Sequence, residues 1–313
     1  MSVLYWLESI RNPVLDFIMQ LFTHLGSEVF FLVIALTVFW CFDKREGIYL
    51  LFVGFIGTVL NQFLKLVYRI PRPWVQDPKF TIVESARADA GGYSFPSGHT
   101  QNVVGTLGGI ARWTKRKWLR IVCIVLLLLT SFSRMYLGVH TPLDVGVAFL
   151  IAVVLIFALY PVVRKTAENP KLMYVLLGVL ITVAFAFVLY ANLTDFSALG
   201  TDEEVLANIN EGRKNSYSLF GAMLGFLIAY PLDQKYIQFK EKAVWWVQIL
   251  KTVGGLAGVL AIKEGLKLLF NAVGFTWLGT NAIRYCVVVF FAAAVWPLVF
   301  PLLRRLSKEK ETA

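Results

Sequence analysis

Three short segments of the sequence combine cations with imidazoles in a pattern that could act on an anion. They are KLVYRIPRP at 65–73, PSGH at 96–99 and SRMYLGVHTPLD at 133–144. Each lies at one end of a long apolar stretch, where a helix in a membrane would meet the lipid headgroups. Charge at that depth is costly and usually functional. The alternative is that Lys and Arg only extend toward the headgroups from helix ends.

The cations of these segments are Lys65, Arg72 and Arg134. An arginine fork suits bidentate contact with phosphate oxygens, and lysine acts as a point charge. The three side chains therefore form a candidate phosphate-binding group.

The PSGH segment predicts the start of a helix. Ser97 is a good N-cap, and the free N–H groups from Gly98 onward would face an anion above the helix end. A plain Pro-Ser-Gly helix start is the alternative reading. It would not require the imidazole of His99.

His140 and Asp144 lie four residues apart at another predicted helix start. Thr141 can cap this helix with Asp144 at its third position, as in a capping box. Alternatively, Asp144 orients His140 for work as a nucleophile or base. A metal site made of His99, His140 and Asp144 is disfavoured, because three nearby cations would repel a divalent ion. We therefore expect no metal and no other cofactor.

The elements that must position these residues are membrane helices. The chain has 313 residues, of which 58% are hydrophobic and only 16% are charged, a composition typical of a polytopic membrane protein. Stretches long enough to cross a bilayer predict an all-α bundle of about nine spans. They lie near 27–42, 47–68, 98–112, 119–137, 142–163, 171–191, 216–232, 244–266 and 280–303.

These spans suggest three parts of the chain. Residues 1–26 include an amphipathic segment expected at the membrane interface. Residues 27–191 form a six-span core, and residues 192–313 form an outer loop with three more spans. Cys41, Cys123 and Cys286 each lie alone in an apolar run, which predicts packing and not a disulfide or zinc site.

The net charge of +10 predicts orientation and not nucleic-acid binding. Lys and Arg concentrate in alternate connections, such as 112–120 and 164–171, and positive loops stay in the cytoplasm. This places the C-terminus in the cytoplasm and the N-terminus outside a plasma or bacterial inner membrane. All three segments then lie on the extracytoplasmic face.

The three segments together resemble the signature of the type 2 phosphatidic acid phosphatase superfamily. This family includes lipid phosphate phosphatases, undecaprenyl pyrophosphate phosphatases, glucose 6-phosphatase and vanadium haloperoxidases. The resemblance covers about residues 28–190. The additional spans after residue 192 depart from the compact members of the family.

The resemblance implies a metal-independent phosphoryl transfer in two steps. By that resemblance, His140 attacks phosphorus to form a phosphohistidine, and Asp144 orients it. His99 protonates the leaving oxygen and then activates water. The phosphoryl oxygens would be held by Lys65, Arg72, Arg134, Ser97 and Gly98.

The expected substrate is a lipid phosphate or diphosphate, because a lipid-anchored substrate explains a site at headgroup depth. A phosphatase for a soluble phosphoester, such as a sugar phosphate, is the alternative. A non-hydrolytic anion transporter is disfavoured, since the sequence has no inverted repeat with matching broken spans. Membrane lipids are the other expected partners, and the oligomeric state is left open.

Overall fold

The computed structural model describes residues 1–199 and 202–311, and over these residues the fold is helical with no β-strand. The predicted all-α class is confirmed. The helices are α1 (Ser2–Ser9), α2 (Pro13–Thr23), α3 (Glu28–Thr37), α4 (Lys44–Tyr68), α5 (Pro73–Gln76), α6 (Gly98–Val103), α7 (Gly109–Trp113), α8 (Lys117–Tyr136), α9 (Pro142–Lys165), α10 (Lys171–Leu193), α11 (Glu203–Leu232), α12 (Trp245–Ala272), α13 (Thr280–Phe290) and α14 (Phe300–Glu311).

Most of the predicted spans coincide with long apolar helices. Within the described residues, six helices are long and apolar enough to cross a membrane. A seventh span is present if Pro13–Gly26 and Glu28–Phe42, bent by 51° at their junction, count as one. The exposed side chains of Leu143, Leu150 and Phe157 recur every seven residues along α9, as expected for a lipid-facing stripe. The protein is therefore a multi-pass membrane protein.

Two predicted spans correspond to helices that do not meet these requirements of length and apolar composition. The stretch predicted at 98–112 folds as α6 and α7 joined by a π-helical turn at Val104–Gly108, which together are too short. The stretch predicted at 216–232 is the second half of α11, whose first half carries several charged residues. The count of nine spans is reached only if both helices also cross.

The chain divides into two compact units. The first comprises residues 1–35, 49–165 and 195–212, and the second comprises residues 36–48, 166–194 and 213–313. The predicted functional division at 26/27 and 191/192 stays a prediction, because compact packing and functional domains are separate ways of dividing a chain.

The first unit has a core that joins its N-terminal helix to the loop after α5. Leu4 and Leu7 of α1 are buried against Phe80 and Ile82 of that loop and against Leu137, which follows α8. The segment predicted to be interfacial is thus packed into the unit. Its burial stabilises the loop that leads into the PSGH segment, at about 1.5–3 kcal/mol for each fully buried large aliphatic side chain.

Arg11 fixes the same loop by hydrogen bonds. Its Nε donates to the carbonyl of Tyr136 at 3.0 Å, and Nη1 donates to the carbonyl of Thr81 at 2.8 Å. Gly138 lies beside this guanidinium with a φ of 81°. A side chain there would be strained by the left-handed backbone, and its β-carbon would lie 2.7 Å from Arg11 Nη2.

The second unit is held together by close helix packing and by buried polar contacts. Gly221 and Gly225 of α11 pack directly against the backbone of α13 at Ala282 and Cys286, as small residues allow between membrane helices. Elsewhere in this unit, Lys44 forms an ion pair with Asp233 at 2.8 Å.

Candidate active site

All eight residues predicted to form the site belong to the first unit, and most lie at helix ends. Lys65 is in the last turn of α4, and Arg72 is the N-cap of α5. Ser97 caps α6, Arg134 is in the last turn of α8, and Asp144 is in the first turn of α9. Gly98 and His99 open α6, and His140 lies in the turn between α8 and α9.

Arg72 is buried, with 5% of its surface exposed, and its guanidinium makes several hydrogen bonds within this cluster. Its Nη2 donates to the carbonyl of Gly91 at 2.5 Å and its Nε to the carbonyl of Gly92 at 3.0 Å. Its Nη1 donates to the carbonyl of Val139 at 3.0 Å and lies 3.0 Å from His140 Nε2. The backbone of two loops therefore fixes the guanidinium beside the imidazole.

The contact with Arg72 identifies the tautomer of His140. A guanidinium can only donate hydrogen bonds, so His140 Nε2 must be the acceptor and carry the lone pair. The ring proton of a neutral imidazole is then on Nδ1, which lies 3.5 Å from Asp144 Oδ2. Burial, with the charges of Arg72, Arg134 and Lys65, lowers the pKa of His140 well below its ordinary value. The ring is thus a neutral base with its free electron pair on Nε2.

The geometry of Asp144 is compatible with both alternatives considered from the sequence. Its Oδ2 accepts from the backbone N–H of Thr141 at 2.7 Å, and the Thr141 hydroxyl accepts from the Asp144 N–H at 3.2 Å. This is the reciprocal bonding of a capping box. The same oxygen lies 3.5 Å from His140 Nδ1, so the helix start fixes a carboxylate beside the imidazole.

Ser94 joins Asp144 and His140 and was not predicted from the sequence. It is fully buried, and its hydroxyl donates to Asp144 Oδ2 at 2.6 Å while lying 3.5 Å from His140 Nδ1. The backbone N–H of Ser94 donates to the carbonyl of Ile70 at 2.8 Å. The position of the hydroxyl is therefore set by the loop that carries Gly91 and Gly92.

Arg134 is fully buried on α8. Its Nη1 donates to the hydroxyl of Thr23, a fully buried residue at the end of α2. Its Nε and Nη2 are buried and make no hydrogen bond with any described residue. An unpaired buried guanidinium is expensive, and a bound anion would satisfy these donors.

Lys65 and His99 complete the cluster. Lys65 Nζ donates to the carbonyl of Tyr93 at 2.7 Å. His99 is half-buried in the first turn of α6, close enough to Arg134, Arg72 and Lys65 to interact with their positive charges. Gly26 packs against its backbone so closely that a β-carbon at residue 26 would lie 2.8 Å from the β-carbon of His99.

Ser97 has the predicted capping geometry. Its hydroxyl accepts from the backbone N–H of Thr100 at 3.4 Å, and its own N–H donates to the carbonyl of Asp144 at 3.1 Å. Asn61 supports this helix start, because its Nδ2 donates to the carbonyl of Pro96 at 3.1 Å. Gly98 follows at the open start of the helix.

Ser94, Thr23 and Asn61 are the supporting residues that the sequence did not reveal. Thr23 and Asn61 lie on helices, and neither interrupts a charge or apolar pattern in a way that would mark it. Ser94 lies three residues before Ser97, within a loop. Their contacts with the cluster arise only in the folded unit.

In the second unit, Lys263 and Glu264 form an exposed pair 3.9 Å apart. Such exposed pairs contribute about 0–1 kcal/mol. Among the residues that the structure describes, no group of three His, Cys, Asp or Glu side chains could hold a metal ion.

Two family models match the chain. The PAP2 superfamily, the type 2 phosphatidic acid phosphatases, matches residues 46–168, and the transmembrane extension of PAP2 superfamily phosphatases matches residues 217–309. Undecaprenyl-diphosphatase BcrC of Bacillus subtilis is 32% identical over 154 residues, which cover 48% of this chain and 76% of that protein. The chain belongs to the PAP2 superfamily. It is a multi-pass membrane phosphatase.

Other relatives match this PAP2 protein over different lengths. Sphingosine-1-phosphate phosphatase 1 of Mus musculus is 27% identical over 278 residues, covering 83% of this chain and 62% of that protein. The probable sphingosine-1-phosphate phosphatase of Dictyostelium discoideum is 29% identical over 194 residues, covering 58% of this chain and 44% of that protein. The chain thus spans less than two thirds of these two relatives.

The names of these relatives are those of lipid phosphatases. They support the same class of activity, a membrane lipid phosphatase, for this chain. No solved structure matches it significantly.

Proposed function

We propose that this PAP2 protein hydrolyses a lipid phosphate or diphosphate at the extracytoplasmic face of the membrane through a phosphohistidine intermediate. The observation that supports this most directly is the pair of Arg72 and His140. His140 Nε2, which carries the lone pair, lies 3.0 Å from Arg72 Nη1. The N–H of that Nη1 is also the group that would contact a phosphoryl oxygen. A nucleophile and an anion-binding donor thus face the same space.

In the first step, His140 Nε2 attacks phosphorus as Arg72 moves its N–H from the imidazole to a phosphoryl oxygen. The new P–N bond forms as the bond from phosphorus to the leaving oxygen breaks. His99, which takes up a proton when the bound phosphate offsets the neighbouring cations, gives that proton to the leaving oxygen. Asp144 and Ser94 hold the Nδ1 side of the ring, where positive charge develops.

In the second step, His99 takes a proton from water, and the resulting hydroxide attacks phosphorus. The P–N bond breaks, and its electron pair returns to His140 Nε2. Lys65, Arg72 and Arg134 bind the equatorial oxygens throughout, with the Ser97–Gly98 helix start beside them. Such preorganised donors stabilise charge in phosphoryl transfer, so the residues present need no metal for these steps.

The lipid class of substrate is supported by the relatives and by the position of the site. Lys65 and Arg134 lie in the last turns of apolar helices, at the depth where a lipid headgroup is found. The extracytoplasmic face is supported by the basic connections at the opposite helix ends, near 112–120 and 164–171.

The deciding experiment measures phosphate release by the purified protein in detergent micelles with EDTA present. The substrates are undecaprenyl diphosphate, phosphatidate, sphingosine 1-phosphate and glucose 6-phosphate. His140→Ala should abolish release. His24→Ala, which removes an exposed imidazole outside the cluster, is the matched control and should leave release unchanged. Equal release by the wild type and His140→Ala would overturn the proposal.

The side of the membrane is tested separately in intact cells. A single cysteine replacing the exposed Asp89 should react with an impermeant maleimide, and one replacing the exposed Lys117 should react only after the cells are opened. The native Cys41 and Cys123 are buried, whereas Cys286 is only partly buried, so both variants also carry Cys286→Ala. The reverse pattern of labelling would place the site in the cytoplasm.

A further inference from the structure

The carboxylate of Glu211 lies beside the cation cluster and has no role in the proposed phosphatase steps. Its exposed side chain, on α11, approaches the loop at Gly91 and Gly92. A β-carbon built on Gly92 would lie 3.4 Å from Glu211 Oε2 and 3.9 Å from Lys65 Nζ. The distance between Glu211 Oε2 and Lys65 Nζ is therefore at most the sum of these two distances.

The glycines that Glu211 approaches are those that hold Arg72. The carbonyls of Gly91 and Gly92 accept from the Arg72 guanidinium, and the charge of Glu211 acts on both Lys65 and Arg72. Glu211 thus lies at the rim of the phosphate-binding cluster, within the same compact unit.

A structural ion pair does not explain this carboxylate. Within the described parts of the chain, Glu211 has no cation within 4.0 Å, and no hydrogen bond to it is found. A fixed negative charge at this rim repels a phosphate and weakens its binding. Glu211 attracts Lys65 and Arg72 in the free protein, and once phosphate is bound this carboxylate favours a substrate in which a positive group accompanies the phosphate.

We propose that Glu211 selects lipid phosphates that carry a protonated amine close to the phosphate. In this arrangement Lys65 and Arg72 bind the phosphate, and Glu211 accepts a charge-assisted hydrogen bond from the ammonium. The upper limit on the distance between Glu211 Oε2 and Lys65 Nζ is compatible with an amine held two carbons from the phosphate ester oxygen. Sphingoid base phosphates have this chemistry.

The relatives are compatible with this selection. The match to the Mus musculus sphingosine-1-phosphate phosphatase covers 83% of the chain, and a continuous stretch of that length necessarily includes residue 211. The inference rests on the proposed function, because it concerns the substrate of the same site.

The test compares two substrates that differ at the amine. Sphingosine 1-phosphate has a free ammonium, and N-acetylsphingosine 1-phosphate has a neutral amide with the same phosphate. Each is supplied in mixed micelles to the full-length wild type and to Glu211→Gln, and kcat/KM is measured for both. The ratio of the two kcat/KM values is independent of the fraction of correctly folded enzyme.

The wild type should prefer the free amine, and Glu211→Gln should reduce this preference by about tenfold, as expected for one charge-assisted contact. Glu211→Lys should reverse it. Glu203→Gln, which removes another exposed carboxylate from the first turn of α11, is the matched control and should leave the ratio unchanged.

Two results would overturn the inference alone. One is a wild type that releases phosphate from phosphatidate or undecaprenyl diphosphate but has no preference for the amine. The other is a Glu211→Gln variant whose kcat/KM changes equally for both sphingoid substrates, since that would make Glu211 a support for Lys65. Absence of release from every lipid phosphate would overturn the proposed function and the inference with it.

Discussion

Ser94 donates a hydrogen bond to Asp144 Oδ2 at 2.6 Å, whereas His140 Nδ1 lies 3.5 Å from the same oxygen. The carboxylate is therefore held more tightly by the serine than by the imidazole. Ser94 is a positioning residue, because its hydroxyl fixes the orientation of the group that in turn orients the proposed nucleophile.

Replacing Ser94 with alanine should therefore impair the chemical step. The buried carboxylate loses a hydrogen bond to a charged group, worth about 1.5–3 kcal/mol, so kcat should fall roughly 10- to 100-fold with little change in KM. Steady-state kinetics of Ser94→Ala would measure this. Ser85→Ala, which removes an exposed hydroxyl from the same loop, is the control. A kcat equal to that of the control would remove Ser94 from the mechanism.

Thr23 should act on substrate binding through Arg134. Thr23→Val keeps the shape of the side chain but removes the acceptor for the Arg134 guanidinium, so KM should rise several-fold while kcat changes less. Thr130→Val is a close control, since the Thr130 hydroxyl donates to the carbonyl of Phe22 at 3.1 Å and not to the guanidinium. Similar KM values for the two variants would contradict the role assigned to Thr23.

Arg11 should contribute more to stability than a surface arginine. Arg11→Gln loses donors to the carbonyls of Tyr136 and Thr81, and hydrogen bonds from a charged group are worth about 1.5–3 kcal/mol each. Thermal unfolding in detergent should therefore begin at a lower temperature. Arg87→Gln removes an exposed i,i+3 pair with Glu84 and should change the midpoint little. Equal midpoints for the two variants would refute the prediction.

Gly92 and Gly91 should differ in their tolerance of alanine although both carbonyls hold Arg72. Gly92 has a φ of 68°, a conformation that costs an L-residue roughly 1–2 kcal/mol. Gly92→Ala should therefore shift the carbonyl beneath Arg72 and raise KM. Gly91→Ala meets nothing nearer than 3.9 Å and should resemble the wild type. Phosphate-release kinetics of both variants test the difference, and a reversed order would show that the backbone conformation is not the determinant.

The sequence predicted the helical class and seven of the proposed span positions because long apolar runs determine both. The three motifs also marked eight candidate site residues, whose roles stay predictions, because each motif places unusual residue types at the end of such a run. The capping geometry of Ser97 and of Asp144 followed from local backbone chemistry, which neighbouring residues decide.

The supporting residues could not be predicted in this way. Ser94 is 46 residues from His140, and Thr23 is 111 residues from Arg134. Their roles depend on which loops meet after folding, and a single sequence contains no periodic signal for such contacts. Glu211 was visible only as one of several acidic residues, and its distance from Gly92 distinguishes it from the others.

The burial of Leu4 and Leu7 beneath the loop that carries Gly91 and Gly92 has a consequence for biogenesis. Leu4 and Leu7 pack against segments that are made much later, and Glu211 of the same compact unit is made later still. Such distant contacts form slowly. The nascent chain therefore completes the packing of this loop only after later segments are made, and Lys65 lacks its hydrogen bond to the Tyr93 carbonyl until that loop follows.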